Sequence, residues 1–484
     1  MQCNSPRQIN RQDFPKARYP EKIVQFGEGN FLRAFIDWMV DILNEKTDFN
    51  SGITIIRPID TPQPKLDEQD GLYTAVIRGL NQQGQPVAEP RLIGSVNREI
   101  AVYKEFEDYL ACAENPELEW IFSNTTEAGI SYSDSDRYDD RPPATFPAKL
   151  TRFLHHRFSH FNGASDKGLI IVPCELIDYN GEKLKEYVLA YARLWQLEEA
   201  FVDWVGQDNT FCSTLVDRIV TGYPHAEIDK LEQEFGYRDR FMVTAEYFYL
   251  FVIQGPQWLR DKLKLDRTAL NIHIVDDIRP YKERKVSILN GAHTAMVPVA
   301  YLAGLRTVGE SMADPVISAF IHRLLNQEVI PTLSLPASEL EQFAKDVTAR
   351  FSNPYIRHEL QAISLNSLTK FKTRLLPQLL TYSRRFGKPP AHIAAALAAL
   401  LLFYRGEFQG ETIPLSDDRH LLERFEAWKP LYDTDLQQLV KNALGMTDLW
   451  ESDLNQLPGL TEAVYQTMKQ FNAQGIKSVI ERLK

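Results

Sequence analysis

Apolar residues in the first half of the chain switch repeatedly between strand-like runs and helical spacing. The run KIVQF from Lys22 is followed by the turn GEGN and by FLRAFIDWMVDILNE, a helical pattern. Gly52 then leads into ITIIRPI, which predicts a second strand parallel to the first because a helix connects them. LEWIFSNTTEAG and KGLIIVPCELIDYNG predict two more strands, the latter after a helix at 149–161. Four strands separated by helices predict an α/β fold with a doubly wound, Rossmann-type sheet.

After about Gln257 the pattern becomes helical. LNIHIVDDIRPY is the last strand-like segment, and apolar residues then recur at helical spacing. We therefore predict a Rossmann-type domain over 1–276 and a mainly α-helical C-terminal domain over 277–484. The helices predicted in the second domain are 285–303, 314–327, 337–351, 355–367, 391–404 and 460–471.

Composition narrows the range of partners. The 484 residues include 54 Lys+Arg and 65 Asp+Glu, a net charge of -11, so nucleic acid and anionic membranes are not expected to bind. An anionic substrate would need a local cationic pocket. The N-terminal sequence is polar, the apolar stretch 393–404 is too short for a bilayer, and the cysteines lack metal or redox spacing. We expect a cytoplasmic protein with reduced thiols at Cys3, Cys112, Cys174 and Cys212.

The turn after the first strand resembles a dinucleotide-binding turn. Gly27 permits a tight turn and Gly29 a close approach of phosphates, while Leu32 occupies the place of the usual third glycine. An ordinary turn containing glycine is the alternative. The residues predicted to contact the cofactor here are Phe26, Gly27, Glu28, Gly29, Asn30 and Phe31.

Two further segments are candidates for cofactor contacts. Asp60, after the second strand, suits the ribose hydroxyls of NAD, or else caps the turn before Pro62. If Arg57 faced the ribose instead, the preference would shift to NADP. In SNTTEAG, Asn124 and Thr125 lie at the carboxyl edge of the predicted sheet, where they suit ribose and nicotinamide or a structural turn.

The segment KVSILNGAH holds the candidate catalytic residues. On an α-helix, Lys285, Asn290 and His293 fall within about 140° of arc and could face one cavity. Gly291 suggests that something approaches the helix backbone there. A surface lysine, a helix-bending Asn-Gly pair and a buried histidine are the alternative interpretation.

Six motifs together resemble one family. GEGNFLRAF, SNTTEAG, CELIDYNG, STLVDRIV, KVSILNGAH and RFSNP occur in the order and spacing of the mannitol dehydrogenase family of polyol-specific long-chain dehydrogenases. The resemblance covers nearly the whole chain. FGEGNFLRAFIDW, FSNTTEAGISY and NPYIRHEL are most similar to the branch that interconverts altronate and its keto form, tagaturonate, in hexuronate breakdown.

The resemblance implies a mechanism. NAD and a sugar acid would bind in a cleft between the two domains, without a catalytic metal. Lys285 would be the general acid/base, Asn290 and His293 would hold the reacting oxygen, and Asp217 would lie near the nicotinamide. As hydride leaves the substrate carbon, a neutral Lys285 amine would take the hydroxyl proton.

One departure from the family pattern concerns the oxyanion site. Where mannitol enzymes carry CDN-x3-NG, this chain has Cys174-Glu175-Leu176, and Leu176 cannot donate a hydrogen bond. Asn180 is a possible replacement as a substrate contact. The cations available for the substrate carboxylate are Arg350, Arg357, Lys370 and Arg374. A guanidinium can bind a carboxylate at two points, and Arg350 or Arg357 is the prediction.

Other functions stay open at this point. A family member acting on mannonate and fructuronate, or on mannitol, would share these motifs, and so would an NAD-binding regulator without activity. A monomer or a small homo-oligomer is expected.

Overall fold

A computed structural model describes residues 7–81, 84–126 and 129–483. These residues form two compact units, one within Met1–Gly79 and Val87–Ile278, the other within Leu80–Pro86 and Arg279–Lys484. Among the described residues, none of the helices is both long enough and apolar enough to cross a membrane.

The first unit is built on a six-stranded sheet in which every pair of neighbours is parallel. Its spatial order is β6-β3-β2-β7-β8-β9. This is the Rossmann order, so the predicted doubly wound sheet is confirmed. The strands are β2 (Glu21–Phe26), β3 (Gly52–Arg57), β6 (Val96–Ala101), β7 (Trp120–Ser123), β8 (Ile170–Pro173) and β9 (Thr210–Phe211).

Both faces of this sheet are buried. Ile23 of β2 and Trp120 of β7 pack into one hydrophobic cluster, while Val24 and Ile121, the next residues along each strand, pack into another. Alternation of side chains across a strand produces this pattern. The chain order reverses between β2 and β7, the position at which open α/β sheets bind their ligands.

This unit contains further strands, of which the patterns had predicted only β15 (Ile272–Val275), within LNIHIVDDIRPY. They form a three-stranded sheet, β10-β14-β15, a four-stranded sheet, β11-β13-β4-β5, and a pair, β1-β12. Many are short or only partly buried, so they lack an apolar run. They are β1 (Arg7–Gln8), β4 (Tyr73–Leu80), β5 (Pro86–Ile93), β10 (Ser213–Asp217), β11 (Val220–Gly222), β12 (Tyr237–Arg238), β13 (Val243–Glu246), β14 (Leu250–Gln254) and β15 (Ile272–Val275).

The helix predicted after the glycine turn is interrupted. Phe35 has φ -126° and ψ -76°, which separates a four-residue helix from a longer one. The Arg218 guanidinium donates to the Ala34 carbonyl at 2.7 Å, replacing a helical hydrogen bond at the break. The helices of this unit are α1 (Asn30–Arg33), α2 (Ile36–Lys46), α3 (Phe106–Ala113), α4 (Phe146–His160), α5 (Asn180–Leu194), α6 (Glu199–Gln207), α7 (Ile228–Phe235) and α8 (Leu259–Lys262).

The second unit is mainly helical, as predicted, with one short hairpin of β16 (Glu407–Phe408) and β17 (Glu411–Thr412). Its helices are α9 (Arg279–Arg284), α10 (Gly291–Leu302), α11 (Val308–Ala313), α12 (Pro315–Arg323), α13 (Ala337–Phe351), α14 (Leu360–Ile363), α15 (Ser367–Arg374), α16 (Leu376–Phe386), α17 (Ala391–Phe403), α18 (Arg419–Trp428), α19 (Leu431–Thr434), α20 (Leu436–Leu444), α21 (Thr447–Trp450), α22 (Leu460–Gln474) and α23 (Ile476–Ile480). The helix α17 is buried along almost its whole length.

Two predictions for this unit need correction. The helix expected at 355–367 is wrong, because only Leu360–Ile363 is helical there and the residues before it are extended or turned. The helix expected at 285–303 begins with a π-helical turn, Lys285–Asn290, before α10. A second π-helical turn, Leu324–Val329, follows α12.

Asp37 is a fully buried carboxyl group on α2. Its Oδ2 lies 2.9 Å from the Tyr73 hydroxyl. Burial raises the pKa of Asp37 from 3.8 to about 7, against the opposing effects of Tyr73, Arg33 and Gln25. The folded protein therefore holds a proton on Asp37 that the unfolded chain releases, so the stability contributed by this proton is lost as pH rises toward and through 7.

Replacing Asp37 with Asn should remove this pH dependence. Between pH 6 and pH 8 the parent should lose about 1 kcal/mol of unfolding free energy relative to Asp37→Asn, since the retained proton titrates in that window. Urea denaturation at both pH values measures the difference, with exposed Asp203→Asn as the matched control. Equal losses in the parent and in Asp37→Asn would contradict the assignment.

Candidate functional site

The turn after β2 is shaped by Gly27. Its φ of +117° favours glycine, and a Cβ there would lie 2.7 Å from the Asn124 carbonyl oxygen and 3.3 Å from Leu32 Cδ1. Leu32, at the position of the usual third glycine, therefore packs its side chain against Gly27. A Cβ on Gly29 would meet nothing within 4 Å, so its backbone is open to a ligand.

The other predicted residues of this turn differ in exposure. Phe26 is buried at the end of β2, and Asn30 is exposed, with its Oδ1 2.6 Å from Arg33. Phe31 stacks on Phe35 with ring centroids 4.9 Å apart. The helix begun by Asn30 has only four residues, so the long helix expected to point at the phosphates is replaced by one short turn.

The Arg57 side chain is held by contacts within the protein. It is 3% exposed, forms an ion pair with Glu99 and lies 3.8 Å from Glu28. Its guanidinium also donates to the carbonyls of Gln63 at 2.7 Å and Pro64 at 2.9 Å. Asp60, by contrast, is exposed three residues after β3. This arrangement removes the basis for placing Arg57 at a ribose 2′-phosphate.

The turn after β7 is held by the buried carboxylate of Glu175. Ser123 Oγ donates to one of its oxygens, and the amide and hydroxyl of Thr125 donate to the other, each at 3.0 Å. The Asn124 amide donates to the Cys174 carbonyl at 3.1 Å. This turn therefore lies beside the turn at Gly27, as predicted. Glu127 and Ala128 of the same motif lie outside the described residues.

Asn180 is held by hydrogen bonds within the protein. It is 0% exposed, and its Nδ2 lies within 3.1 Å of the carbonyls of Pro173 and Glu175 and of Thr214 Oγ1. Its Oδ1 accepts from the Thr214 amide at 2.8 Å. These bonds join the start of α5 to β8 and β10, and contact of Asn180 with a substrate stays a prediction. Leu176 is 63% exposed.

Asp217 is buried at the end of β10, in the three-stranded sheet. The next residue, Arg218, lies over Trp38 at 4.4 Å and donates to the Glu246 carbonyl. Burial lowers the pKa of Arg218 to about 10.

The π-helical turn changes how Lys285 and Asn290 are related. Five residues of α-helix separate two side chains by about 140°, but hydrogen bonds from i to i+5 place residues five apart on successive turns. Lys285 and Asn290 therefore lie closer to one line along the helix than the α-helical spacing predicts. The turn is fixed from outside by Gln378, whose amide donates to Ser287 at 2.8 Å, and Arg284 pairs with Glu339 at 2.6 Å.

His293 lies one turn further along, in an aromatic setting. Its ring stacks on Phe351 at 4.2 Å and meets His358 edge to face at 5.2 Å. Within the described part of the chain, the buried His293 Nε2 has no hydrogen-bond partner, and the Asn290 side-chain amide has none either. Polar groups without a partner are available to a ligand. Sequence analysis did not single out His358, which it placed in a predicted helix and which lies in a non-helical segment before α14.

Three cations lie near His293. Burial lowers the pKa of His293 well below its usual range, and His358, Arg350, Arg374 and Lys370 lower it further by their charge. The imidazole is therefore neutral.

Arg357 is not one of these cations. Its side chain is 82% exposed and pairs with Glu359 at 2.7 Å. Contact of Arg357 with a substrate stays a prediction, whereas the charges of Arg350, Arg374 and Lys370 act on His293. Among the described residues, no group of three or more His, Cys, Asp or Glu is placed to hold a metal ion.

Comparison with known families covers both units. A model described as the mannitol dehydrogenase Rossmann domain matches residues 21–267, and one described as the mannitol dehydrogenase C-terminal domain matches residues 277–472. The chain belongs to the mannitol dehydrogenase family. The resemblance found in the six sequence motifs is thus confirmed.

Relatives within and around this family include proteins of nearly equal length. Two altronate oxidoreductases, from Escherichia coli O6:K15:H31 (strain 536 / UPEC) and O1:K1 / APEC, are each 58% identical over 479 residues, covering 98% of this chain and 99% of the relative. Among solved structures, a D-sorbitol dehydrogenase in substrate-free form is 21% identical, with a TM-score of 0.79 over 99% of this chain and 98% of that one. A Pseudomonas fluorescens mannitol 2-dehydrogenase, in ternary complex with NAD and D-mannitol, is 22% identical, with a TM-score of 0.64 over 98% of each chain. These structures share the fold of the mannitol dehydrogenase family.

The neutrality of His293 leads to a prediction. Because burial and nearby positive charges oppose its protonation, the imidazole should remain neutral when pH falls from 8 to 6. NMR of protein labelled with ¹⁵N in histidine, with the resonance assigned through His293→Gln, reports the charge. A midpoint near 6.5 for this resonance would be incompatible with the site described.

Proposed function

We propose that this protein is an NAD-dependent oxidoreductase that interconverts D-altronate and D-tagaturonate. The observation that carries the proposal is the succession of Lys285, Asn290 and the buried His293 along one helical segment, with three cations near His293. An acid/base, two donors for an oxygen and a positive field suit oxidation of a hydroxyl in an anionic sugar. The identity to altronate oxidoreductases supports the choice of substrate.

The first unit has a setting that fits NAD. Gly27 makes the tight turn at the end of β2, the backbone of Gly29 is open to a ligand, and Asn124 and Thr125 lie beside them at the switch point of the sheet. The exposed Asp60 suits the ribose hydroxyls and repels a 2′-phosphate. NAD, when bound, supplies the acceptor or donor of the hydride. Asp217, buried at the end of β10, remains our candidate for the nicotinamide end.

The second unit supplies the proton chemistry. Lys285 takes the hydroxyl proton when the sugar acid is oxidised and returns it when the keto form is reduced. The Asn290 amide and the His293 imidazole donate hydrogen bonds to the same oxygen as negative charge grows there. A neutral imidazole still has one N–H to donate, so the lowered pKa of His293 is compatible with this role.

Arg350, nearly buried on α13, contributes to the positive field that holds the substrate carboxylate.

The cysteines bear on the cellular location. Cys112, Cys174 and Cys212 are buried free thiols, which supports a reducing, cytoplasmic location, whereas Cys3 lies outside the described residues.

A substrate panel tests the function. Purified protein should oxidise NADH rapidly with tagaturonate and slowly with fructuronate, as followed by absorbance. Faster turnover of fructuronate would assign the protein to the epimeric reaction. An absence of turnover with either keto acid, despite NADH binding, would favour the alternative of an NAD-binding regulator without activity.

Replacing Lys285 with Ala should reduce kcat by about 10²- to 10⁴-fold, the usual contribution of a general acid/base. NADH binding, measured by fluorescence titration, should be retained because the cofactor turns lie in the other unit. Lys469→Ala, at an exposed position on α22, is the matched control. Near-normal turnover of Lys285→Ala would remove this lysine from the mechanism.

Replacing Asp60 with Ala should weaken the preference for NAD. Removal of the carboxylate ends its repulsion of a 2′-phosphate, so the ratio of kcat/KM for NAD to that for NADP should fall by about tenfold or more. Asp166→Ala, another exposed aspartate of the same unit, should leave the ratio unchanged. An unchanged ratio in Asp60→Ala would mean that Asp60 only caps its turn.

A further inference from the structure

Arg374, the last residue of α15, is built against the helix that carries the candidate catalytic residues. Its guanidinium donates to Thr294 Oγ1 at 3.3 Å, and Thr294 follows His293 directly. A Cβ on Gly291 would lie 3.5 Å from the Arg374 carbonyl oxygen and 3.2 Å from Leu375 Cδ2. Gly291 therefore lets the end of α15 approach α10, which explains the glycine singled out in the sequence.

The Arg374 guanidinium retains capacity to bind. It is half-buried, and burial lowers its pKa. Within the described part of the chain, its side chain makes one hydrogen bond, the long one to Thr294, although a guanidinium has five N–H donors. A partly buried charge with unused donors is costly unless an anion or solvent meets it.

The neighbouring cations are less able to take this role. The Lys370 ammonium donates to the Ile363 carbonyl at 2.7 Å. Its positive charge and that of Arg374 repel each other. Arg350 is 9% exposed and lies close enough to Asp346 for that carboxyl group to sense its charge. Arg374 is therefore a half-buried guanidinium with unused donors beside His293, and it can bind a carboxylate at two points where the Lys370 ammonium cannot.

We propose that Arg374 selects a sugar acid over the corresponding polyol by donating charge-assisted hydrogen bonds to the substrate carboxylate. The inference rests on the proposed function, because it assumes that a sugar acid occupies this site. Thr294 orients the guanidinium, and Gly291 allows Arg374 to approach α10 closely. Lys370 and Arg350 add to the positive field without the same two-point contact.

Kinetics of Arg374→Gln test the proposal. KM for altronate should rise about 10- to 100-fold, the loss expected for a hydrogen bond between charged groups, with a smaller change in kcat. Altritol, in which CH₂OH replaces the carboxylate, serves as alternative substrate or as competitive inhibitor, and its constant should change less than threefold. Arg374→Lys should fall between parent and Arg374→Gln, and Thr294→Val should raise KM for altronate several-fold.

The controls separate this inference from the proposed function. Arg419→Gln makes the same change at an exposed position on α18 and should leave both constants unchanged. If the parent does not oxidise altronate, the proposed function fails and the inference with it. If the parent oxidises altronate but Arg374→Gln keeps KM within twofold, or the constants for altronate and altritol change equally, the inference alone is overturned. If Arg374→Gln does not fold, the inference is tested by Arg374→Lys and Thr294→Val: a raised KM for altronate in both supports it, and an unchanged KM overturns it.

Discussion

The candidate site depends on one turn of π-helix. Hydrogen bonds from i to i+5 over Lys285–Asn290 place the first and last side chains of this segment on successive turns, where an α-helix would separate them by about 140°. The turn is supported from neighbouring helices through Gln378 and Glu339. Because α10 continues directly from the π-helical turn, His293 lies about one helical turn after Asn290. The acid/base and the two oxygen-binding groups are thus arranged by backbone geometry that packing maintains.

Charge forms the second part of the site. A chain with a net charge of -11 concentrates Arg350, Lys370 and Arg374 around a neutral histidine. Local positive charge within a negative protein attracts an anion to one place without general binding of polyanions. Burial, reinforced by the same field, holds the pKa of His293 well below its usual range, so the group that donates to the substrate oxygen carries no charge that would compete for the carboxylate.

Much of the fold was predictable because it follows from local patterns. The run KIVQF and the glycines after it gave β2 and its turn, and the β-branched run after Gly52 gave β3. The break after α1 was not predictable, since it depends on Arg218, which lies 184 residues away in sequence from Ala34. The π-helical turn was also missed, because apolar spacing does not distinguish one added residue in a helix.

The site was predictable in its residue types but less so in its contacts. KVSILNGAH identified Lys285, Asn290 and His293, and Gly291 correctly indicated a close approach. The charges of Arg357 and Arg374 were evident from their residue type, but the direction of each side chain was not, and Arg357, which is exposed, was favoured. The internal hydrogen bonds of Asn180 could not be predicted, because an amide that joins buried backbone segments looks, in sequence, like one that meets a substrate.

A crystal structure of the protein with NADH and altronate, a complex that cannot react, measures the arrangement most directly. The Lys285 amine, the Asn290 amide and the His293 imidazole should each lie about 2.6–3.2 Å from the carbinol oxygen. If the lysine amine points into solvent while both ligands are bound, Lys285 is not the acid/base and the mechanism is wrong.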